Sequence, residues 1–149
     1  MKHIQSIVLI IGIVLGLNSC CTKKECIDSG EIYEINFYNF SPDEIDSIMI
    51  YSYSKNSNFN LIIDSSFSQA SLNGDYSTAY ISNRINTDFD YEVLVLSTGQ
   101  VITLTGFEVE KKRCNSCFPY RPESDYYEKL NSYFVNGQKQ SGSIISIYK

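Results

Sequence analysis

The chain has 149 residues and a formal net charge of −5 at pH 7. This length suits a single domain with its own hydrophobic core. The acidic balance argues against nucleic acid or an anionic lipid surface as a partner, because both require clustered lysine and arginine. The only compact basic run is Lys111-Lys112-Arg113.

The N-terminal segment has the composition of an export signal. Lys2 and His3 give a positive start, and an apolar run over residues 7–17 follows, broken only by Gly12 and Gly16. A run of about 11 residues is well short of the roughly 20 that span a bilayer as a helix. No stop-transfer pattern follows, so we expect a cleaved signal and not a permanent anchor helix.

The residues Leu17-Asn18-Ser19-Cys20 resemble the lipobox of bacterial lipoproteins. Leu17, Ser19 and Cys20 match its apolar, small and invariant cysteine positions, whereas Asn18 departs from the usual small or apolar residue. The resemblance implies cleavage between Ser19 and Cys20 and a covalent lipid on Cys20, with no other cofactor. It also implies three acyl chains, including palmitate, and more than one chain is what stable anchoring requires. The alternative is an ordinary secretory signal in which Cys20 is incidental.

This interpretation divides the chain into three parts and limits its chemistry. Residues 1–19 are the expected signal peptide, residues 20–30 the lipidated N-terminus and tether, and residues 31–149 one domain. Cleavage would remove His3, which is the only histidine. Without imidazole, Ser-His-Asp and Cys-His catalysis and histidine-ligated zinc or copper are excluded. A carboxylate-only or Ser-Lys enzyme remains compatible with the sequence, but no motif singles one out, so we do not expect an enzyme.

Alternating apolar and polar residues predict strands through the first half of the domain. Tyr33, Ile35 and Phe37 alternate with polar residues, and further strands are predicted over 48–53, 59–63 and 76–81. Ser41-Pro42-Asp43-Glu44 reads as a capping box with proline at the first helical position, and predicts at most one helical turn. Polar composition predicts a turn over residues 55–58 and a loop over residues 65–75.

Two hairpins are predicted in the second half. Ser97-Thr98-Gly99 separates strands over 91–96 and 100–110, and Asn136-Gly137 separates strands over 126–135 and 138–148. Asn-Gly is the strongest short hairpin signal. Seven or eight strands without helical periodicity predict an all-β, antiparallel β-sandwich, immunoglobulin-like or transthyretin-like, with a small β-barrel as the alternative.

Four cysteines remain once Cys20 carries lipid: Cys21, Cys26, Cys114 and Cys117. An oxidising compartment favours disulfides, and the sequence leaves three connectivities open. The competing interpretation is an envelope thiol-disulfide oxidoreductase that uses the Cys114-x-x-Cys117 pair, with the preceding basic run lowering a thiol pKa. No amphipathic helix follows that motif, which argues against it. A four-thiolate zinc site is a weaker alternative, so no metal is expected.

The remaining polar and aromatic residues suit ordinary structural roles. Twelve tyrosines are compatible with a carbohydrate-binding face, although tyrosine is also a common strand residue. Asp43, Glu44 and Asp46 belong to the predicted turn and lack the spacing of a calcium loop. Asp88 and Asp90 are predicted as surface residues.

The predicted architecture and the Ser19-Cys20-Cys21 ending resemble small β-rich lipoproteins of Gram-negative bacteria, particularly the Bacteroidetes type. This resemblance implies a lipid-anchored protein of the cell envelope, at the outer membrane, with a non-enzymatic binding or structural role. We expect an envelope protein or a glycan as its partner, and no nucleic acid. The sequence leaves open whether it faces the periplasm or the outside.

Overall fold

The computed structural model describes Cys26, residues 32–114 and residues 126–149. Residues 32–111 and 128–149 belong to the larger of two compact units, and Cys26, residues 112–114 and residues 126–127 belong to the smaller one. The predicted signal peptide and most of the predicted tether lie outside the described residues. No helix in the described part of the chain has the length and apolar character that a membrane crossing requires.

The described chain consists of β-strands joined by turns. In chain order the strands are β1 (Ile32–Tyr38), β2 (Ile48–Ser54), β3 (Ile62–Ser68), β4 (Ala70–Asn73), β5 (Tyr76–Ile85), β6 (Phe89–Val95), β7 (Gln100–Arg113), β8 (Tyr126–Val135), β9 (Gln138–Ser141) and β10 (Ile145–Tyr148). These ten strands exceed the predicted seven or eight for two reasons. The predicted loop over 65–75 contains β4, and the predicted strand over 138–148 is divided into β9 and β10.

The strands form two sheets. Sheet A has the strand order β10-β1-β5-β4, and sheet B has the order β3-β2-β6-β7-β8-β9. The sheets are mainly antiparallel, but β1 and β10 run parallel, with Ile35 opposite Ile145. Within the described residues neither sheet closes on itself. The predicted β-sandwich is therefore confirmed, and the small-barrel alternative is wrong.

One hydrophobic core contains residues of both sheets. Sheet A contributes Ile35 and Phe37, which are fully buried because every second side chain of β1 points inward. In sheet B, the Phe107 ring meets Tyr91 edge-on at 6.0 Å between centroids and stacks on Tyr133 at 6.2 Å. Burial of each large apolar side chain contributes about 1.5–3 kcal/mol relative to exposure, so this cluster is the main source of stability.

The strands predicted from clear alternation are confirmed, and the strand over 126–135 coincides with β8. The alternation in β1 is less regular than the sequence indicates. Ile35 and Phe37 are buried, but Tyr33 is 48% exposed. The cause is an irregularity in the pairing of β1 with β5, where the register shifts between Ile32 and Glu34.

The predicted loop over residues 65–75 is wrong. Most of these residues lie in β3, which pairs with β2 in sheet B, and in β4, which pairs with β5 in sheet A. Only Gln69 separates the two strands, so the chain passes from one sheet to the other at this residue. The hydroxyl of Ser68 donates a hydrogen bond to the carbonyl of Tyr80 beside the crossing. Polar residues are tolerated here because both strands are edge strands.

Two other predicted strands change their limits. The strand expected over 59–63 begins only at Ile62, because Asn58 and Phe59 have φ of 51° and 58° and belong to the preceding turn. The strand expected over 138–148 is divided into β9 and β10 around Gly142, which has a φ of 153°. Strand β9 stays in sheet B and β10 joins sheet A, so the chain crosses between the sheets here as well.

The predicted turns at Ser41 and at Asn136 form as expected. The backbone N–H of Ser41 donates to the Glu44 carboxylate at 2.9 Å, and the N–H of Glu44 donates to the Ser41 carbonyl at 3.0 Å. This reciprocal pair closes a turn without a following helix. Asn136 and Gly137 have φ of 49° and 79°, the two positive values that a type I′ hairpin turn requires.

Candidate functional site

The structure describes two of the four candidate disulfide cysteines, and it joins them. Cys26 and Cys114 form a disulfide in the smaller unit, with Cα atoms 5.7 Å apart and a sequence separation of 88. The bond therefore links the predicted tether to the 114–117 segment, and ring closure between Cys114 and Cys117 does not occur. Cys20, Cys21 and Cys117 lie outside the described residues.

The Cys26–Cys114 bond argues against two interpretations of the cysteines, the Cys114-x-x-Cys117 redox pair and the four-thiolate zinc site. A disulfide-bonded Cys114 has no thiol, so it is not available as the nucleophile of a Cys114-x-x-Cys117 dithiol. A four-thiolate zinc site would require Cys26 and Cys114 to be reduced. Among the described residues, no group of three or more histidine, cysteine, aspartate and glutamate side chains is arranged to hold a metal ion.

The basic run lies at the end of β7, where Arg113 contacts Tyr126. The Nε of Arg113 donates to the Tyr126 hydroxyl at 2.7 Å, and the guanidinium carbon lies 5.2 Å from the ring centroid. Both residues belong to the smaller unit, and Arg113 directly precedes Cys114 in sequence. The contact is a cation–π interaction with an added hydrogen bond, which restricts the arginine side chain.

The candidate carboxylates have structural partners. Asp88 is exposed as predicted, but Asp90 is buried, which corrects its prediction as a surface residue. Its carboxylate accepts the backbone N–H of Asn56 at 2.9 Å and so fixes the turn between β2 and β3. Hydrogen bonds from Lys149 and from the backbone of Ser41 lower the pKa of Glu44. These groups hold turns in place.

A second carboxylate network lies on the outer face of sheet B. Glu108 accepts the Ser132 hydroxyl at 2.6 Å and the Lys139 ammonium at 2.9 Å. These contacts, the Ser132 hydrogen bond first, lower the pKa of Glu108. Because Glu108 and Lys139 are about half exposed, at 53% and 49%, water screens the pair and its net contribution to stability is small.

A cleft of about 190 Å³ opens between β3 and the end of β5. Ile50 and Tyr91 line it on sheet B, and Arg84 and Asn86 line the opposite side. The Tyr91 hydroxyl accepts the Asn86 N–H at 2.7 Å and donates to the Asn86 carbonyl at 3.1 Å. Burial raises the pKa of Tyr91 to about 12. Burial outweighs the Asn86 N–H, which alone would lower the pKa of Tyr91, so the phenol stays neutral and is unsuited to proton transfer near pH 7.

Three tyrosines form a row across the outer face of sheet A. Tyr38 of β1 lies opposite Tyr148 of β10 and Tyr76 of β5. The rings of Tyr38 and Tyr148 are stacked at 4.7 Å between centroids with an interplanar angle of 14°, and Tyr76 lies 5.1 Å on the other side. Tyr148, at the edge, is 55% exposed. We call these three residues the tyrosine row.

A row of neutral polar side chains runs beside the tyrosine row. Asn36 lies opposite Ser146 on one side and Thr78 on the other, and Ser71 lies opposite Thr78. The Thr78 hydroxyl donates to the Asn36 side-chain oxygen at 3.0 Å, which turns the amide in one direction. Beyond this polar row, Tyr80 lies opposite Glu34 and is 56% exposed. The outer positions of sheet A therefore hold aromatic rings, a buried Asn36–Thr78 pair and the carboxylate of Glu34.

No family model, curated protein or solved structure matches the chain.

The sequence indicated that tyrosine was abundant but not that three tyrosines share one row. Residues 38, 76 and 148 are far apart in sequence, and they meet only through the pairing of β1 with β5 and β10. The parallel β1–β10 pair in particular has no local signal, because a parallel pair needs no turn between its strands. The usable signal was the alternation that places each tyrosine on an outward position of its strand.

Proposed function

We propose that the chain is a lipid-anchored protein of the bacterial cell envelope whose β-sandwich binds a neutral glycan through the outer face of sheet A. The resemblance of Leu17-Asn18-Ser19-Cys20 to a lipobox supports the anchor. The Cys26–Cys114 disulfide supports export, because such bonds persist mainly in oxidising compartments. The role is non-enzymatic, and the anchor keeps the binding face close to the membrane.

The tyrosine row is the observation that carries the choice of ligand. Strands in a sheet are about 4.8 Å apart, so Tyr148, Tyr38 and Tyr76 repeat at nearly the width of a sugar ring. Tyrosine offers an apolar ring and a hydroxyl at its tip, which suits the C–H surfaces and hydroxyls of a sugar. The neighbouring Asn36 and Thr78 are buried, at 6% and 2% exposure, and bond to each other, so the sugar contacts on this face come from the tyrosine rings and hydroxyls. An uncharged, hydroxyl-rich chain matches this face better than a charged one.

Binding of neutral hexose oligosaccharides, measured by isothermal titration calorimetry, tests the ligand. Removing the exposed ring in Tyr148→Ala should weaken binding by about tenfold, which corresponds to about 1.4 kcal/mol. The matched control is Phe67→Ala, which removes a ring of similar exposure, 52%, from sheet B. The glycan proposal fails if no neutral oligosaccharide binds, or if the Phe67 variant weakens binding equally. Binding of an envelope protein to the same face would replace it.

A separate experiment tests the anchor. Cys20→Ala should abolish labelling by a radioactive or clickable fatty acid and move the protein from the membrane fraction to the soluble one. Cys21→Ala is the control, because it changes the adjacent cysteine while leaving the lipobox cysteine in place. Membrane partitioning that is the same in both variants would contradict a lipid anchor on Cys20.

A further inference from the structure

The cleft between β3 and the end of β5 lies where the two sheets separate. Ser66 lies opposite Ile50, a core residue of β2, so residues 64, 66 and 68 of β3 are on the inward side of their strand. Ser68 is only 4% exposed, whereas Ser66 is half-buried and Asp64 is exposed. All three are polar at positions where apolar side chains would close a sandwich. The sheets therefore leave a cleft of about 190 Å³ open to solvent at this end.

Both walls of the cleft come from irregular segments of their strands. Strand β3 has one extra residue, Ile63, where its register with β2 shifts. In the pairing of β5 with β1, the four residues 81–84 of β5 stand opposite Tyr33 alone. Extra residues of this kind redirect side chains, and they are common beside binding sites. Here they bring Ile63 from one strand and Arg84 from the other to the same cleft.

The cleft combines an apolar floor with a cation on its wall. The floor consists of the buried Ile50 and Tyr91 and the half-buried Phe89. Arg84 is exposed, and within the described part of the chain its guanidinium makes no ion pair or hydrogen bond. A guanidinium presents two parallel N–H groups that match the two oxygens of a carboxylate. The cleft therefore suits a ligand with one anionic end and an apolar body.

We propose that this cleft binds a small monocarboxylate with an apolar body. The carboxylate lies on the Arg84 guanidinium, and the apolar body covers Ile50 and Phe89. The volume of about 190 Å³ is below the roughly 300–1,000 Å³ of pockets for drug-sized ligands, which limits the body to one ring or a short branched chain. The cleft lies between the sheets and the tyrosine row lies on the outer face of sheet A, so this site and the proposed glycan site hold or fail independently.

Asp64 gives the cleft a preference for a ligand with a single negative charge. Its carboxylate accepts the Ser65 N–H at 2.8 Å, and both residues line the β3 wall. A phosphate monoester with two negative charges is attracted by Arg84 but repelled by Asp64. An exposed ion pair contributes little by itself, so affinity also requires the apolar body. Acetate should therefore bind at least about tenfold more weakly than phenylacetate.

Titration of the full, isotope-labelled protein in detergent with sodium phenylacetate, followed by amide chemical shifts, tests the site. The shifts should concentrate at cleft residues such as Ser66 and Asn86, with a dissociation constant in the millimolar range or below. Arg84→Gln should weaken phenylacetate binding at least about tenfold and leave binding of the uncharged benzyl alcohol unchanged. Lys129→Gln is the matched control, because it removes the same charge from β8, which does not line the cleft. No saturable shifts at millimolar phenylacetate, or an equal loss in both variants, overturns the proposal.

A second variant tests the charge preference. At about pH 8 phenyl phosphate carries two charges, and it should bind the wild-type protein more weakly than phenylacetate does. Asp64→Asn keeps an oxygen for the Ser65 N–H but removes the carboxylate charge, so it should reduce the difference between the two ligands at least about threefold. Phenyl phosphate that binds the wild-type protein as tightly as phenylacetate, or a difference that Asp64→Asn leaves unchanged, overturns this preference. A methyl glucoside that displaces phenylacetate from the cleft overturns the monocarboxylate assignment.

Discussion

The ring of Phe134 lies directly over the backbone of Gly106. Its Cδ2 atom is 2.8 Å from the position that a Cβ atom on Gly106 would occupy, and Gly106 has a φ of 59°. On either side of this glycine, Leu104 and Phe107 are both buried although three positions separate them. The glycine therefore absorbs one extra residue in β7, as a β-bulge does, and Phe134 covers the space that its missing side chain leaves.

Gly106→Ala should be destabilising by about 2 kcal/mol. A positive φ costs a non-glycine residue about 1 kcal/mol, and displacing the Phe134 ring adds a similar amount. Urea unfolding measures the change. Gly74→Ala is the matched control, because Gly74 has a similar φ of 64° and no atom within 4 Å of the added Cβ. It should cost about 1 kcal/mol, and an equal loss in both variants would show that the Phe134 contact is unimportant.

The parts of the fold that the sequence predicted have local signals. The hairpin at Asn136-Gly137 was predictable because few residue pairs accept two positive φ values. Strands β2 and β6 were predictable because their side chains alternate between the core and the outer face, as in Ile48 and Ile50. These features depend on the residues of one strand or one turn, so a short window of sequence contains the information.

The parts that were missed depend on distant pairing. The stretch from β3 to β4 is polar, and it forms strands only because β2 and β5 are beside it. Asp90 appeared to be a surface residue, but the N–H of Asn56, 34 positions earlier, gives its carboxylate a buried partner. The tyrosine row has the same origin, since Tyr38 meets Tyr148 only through a parallel pairing. Neither register nor the choice of sheet follows from alternation alone.

Asn136 should be less tolerant of alanine than its exposure indicates. Its N–H donates to the Thr103 carbonyl and its side-chain oxygen accepts the Thr103 N–H, both at 2.9 Å. Asn136→Ala loses the side-chain bond and the tolerance for a φ of 49°, and should cost about 1–2 kcal/mol in urea unfolding. Asn136→Gly keeps the backbone freedom and isolates the side-chain bond. If glycine costs as much as alanine, the hydrogen bond accounts for the whole effect and the backbone term is negligible.

The Cys26–Cys114 disulfide should contribute strongly to stability. It closes a loop whose ends are 88 residues apart, and restricting an unfolded chain of this length is worth up to about 4.5 kcal/mol. Cys26→Ser and Cys114→Ser should lower the midpoint of thermal unfolding by the same amount, since either one opens the same loop. Dithiothreitol should lower the thermal midpoint of the wild-type protein. It should not lower the midpoint of either variant by this amount, because both already lack the Cys26–Cys114 bond. Peptide mapping without reductant that links Cys114 to Cys117 would contradict the assignment.

The same bond predicts that the oxidised protein does not reduce disulfides. Reduction of insulin requires a free thiolate, and Cys114 in its bond to Cys26 supplies none. We expect no turnover above background in an insulin precipitation assay run at a dithiothreitol concentration at which peptide mapping finds the Cys26–Cys114 bond intact. Turnover that disappears in Cys117→Ser but persists in Cys26→Ser would instead support the oxidoreductase interpretation of the Cys114-x-x-Cys117 pair.

Tyr91 should make the protein sensitive to alkali. Burial raises the pKa of Tyr91 to about 12, whereas a tyrosine in the unfolded chain ionises near 10. Below about pH 10 both states keep the proton and the stability is complete. Between about pH 10 and 12 only the unfolded state loses this proton, so the free energy of unfolding falls with rising pH, by up to about 2–3 kcal/mol.

Tyr91→Phe should be less stable at pH 8, because it leaves the Asn86 N–H without its acceptor, but should lose less stability between pH 10 and 12. Urea unfolding at a series of pH values measures both effects, and an unchanged alkaline slope in the variant would show that Tyr91 is not the group responsible.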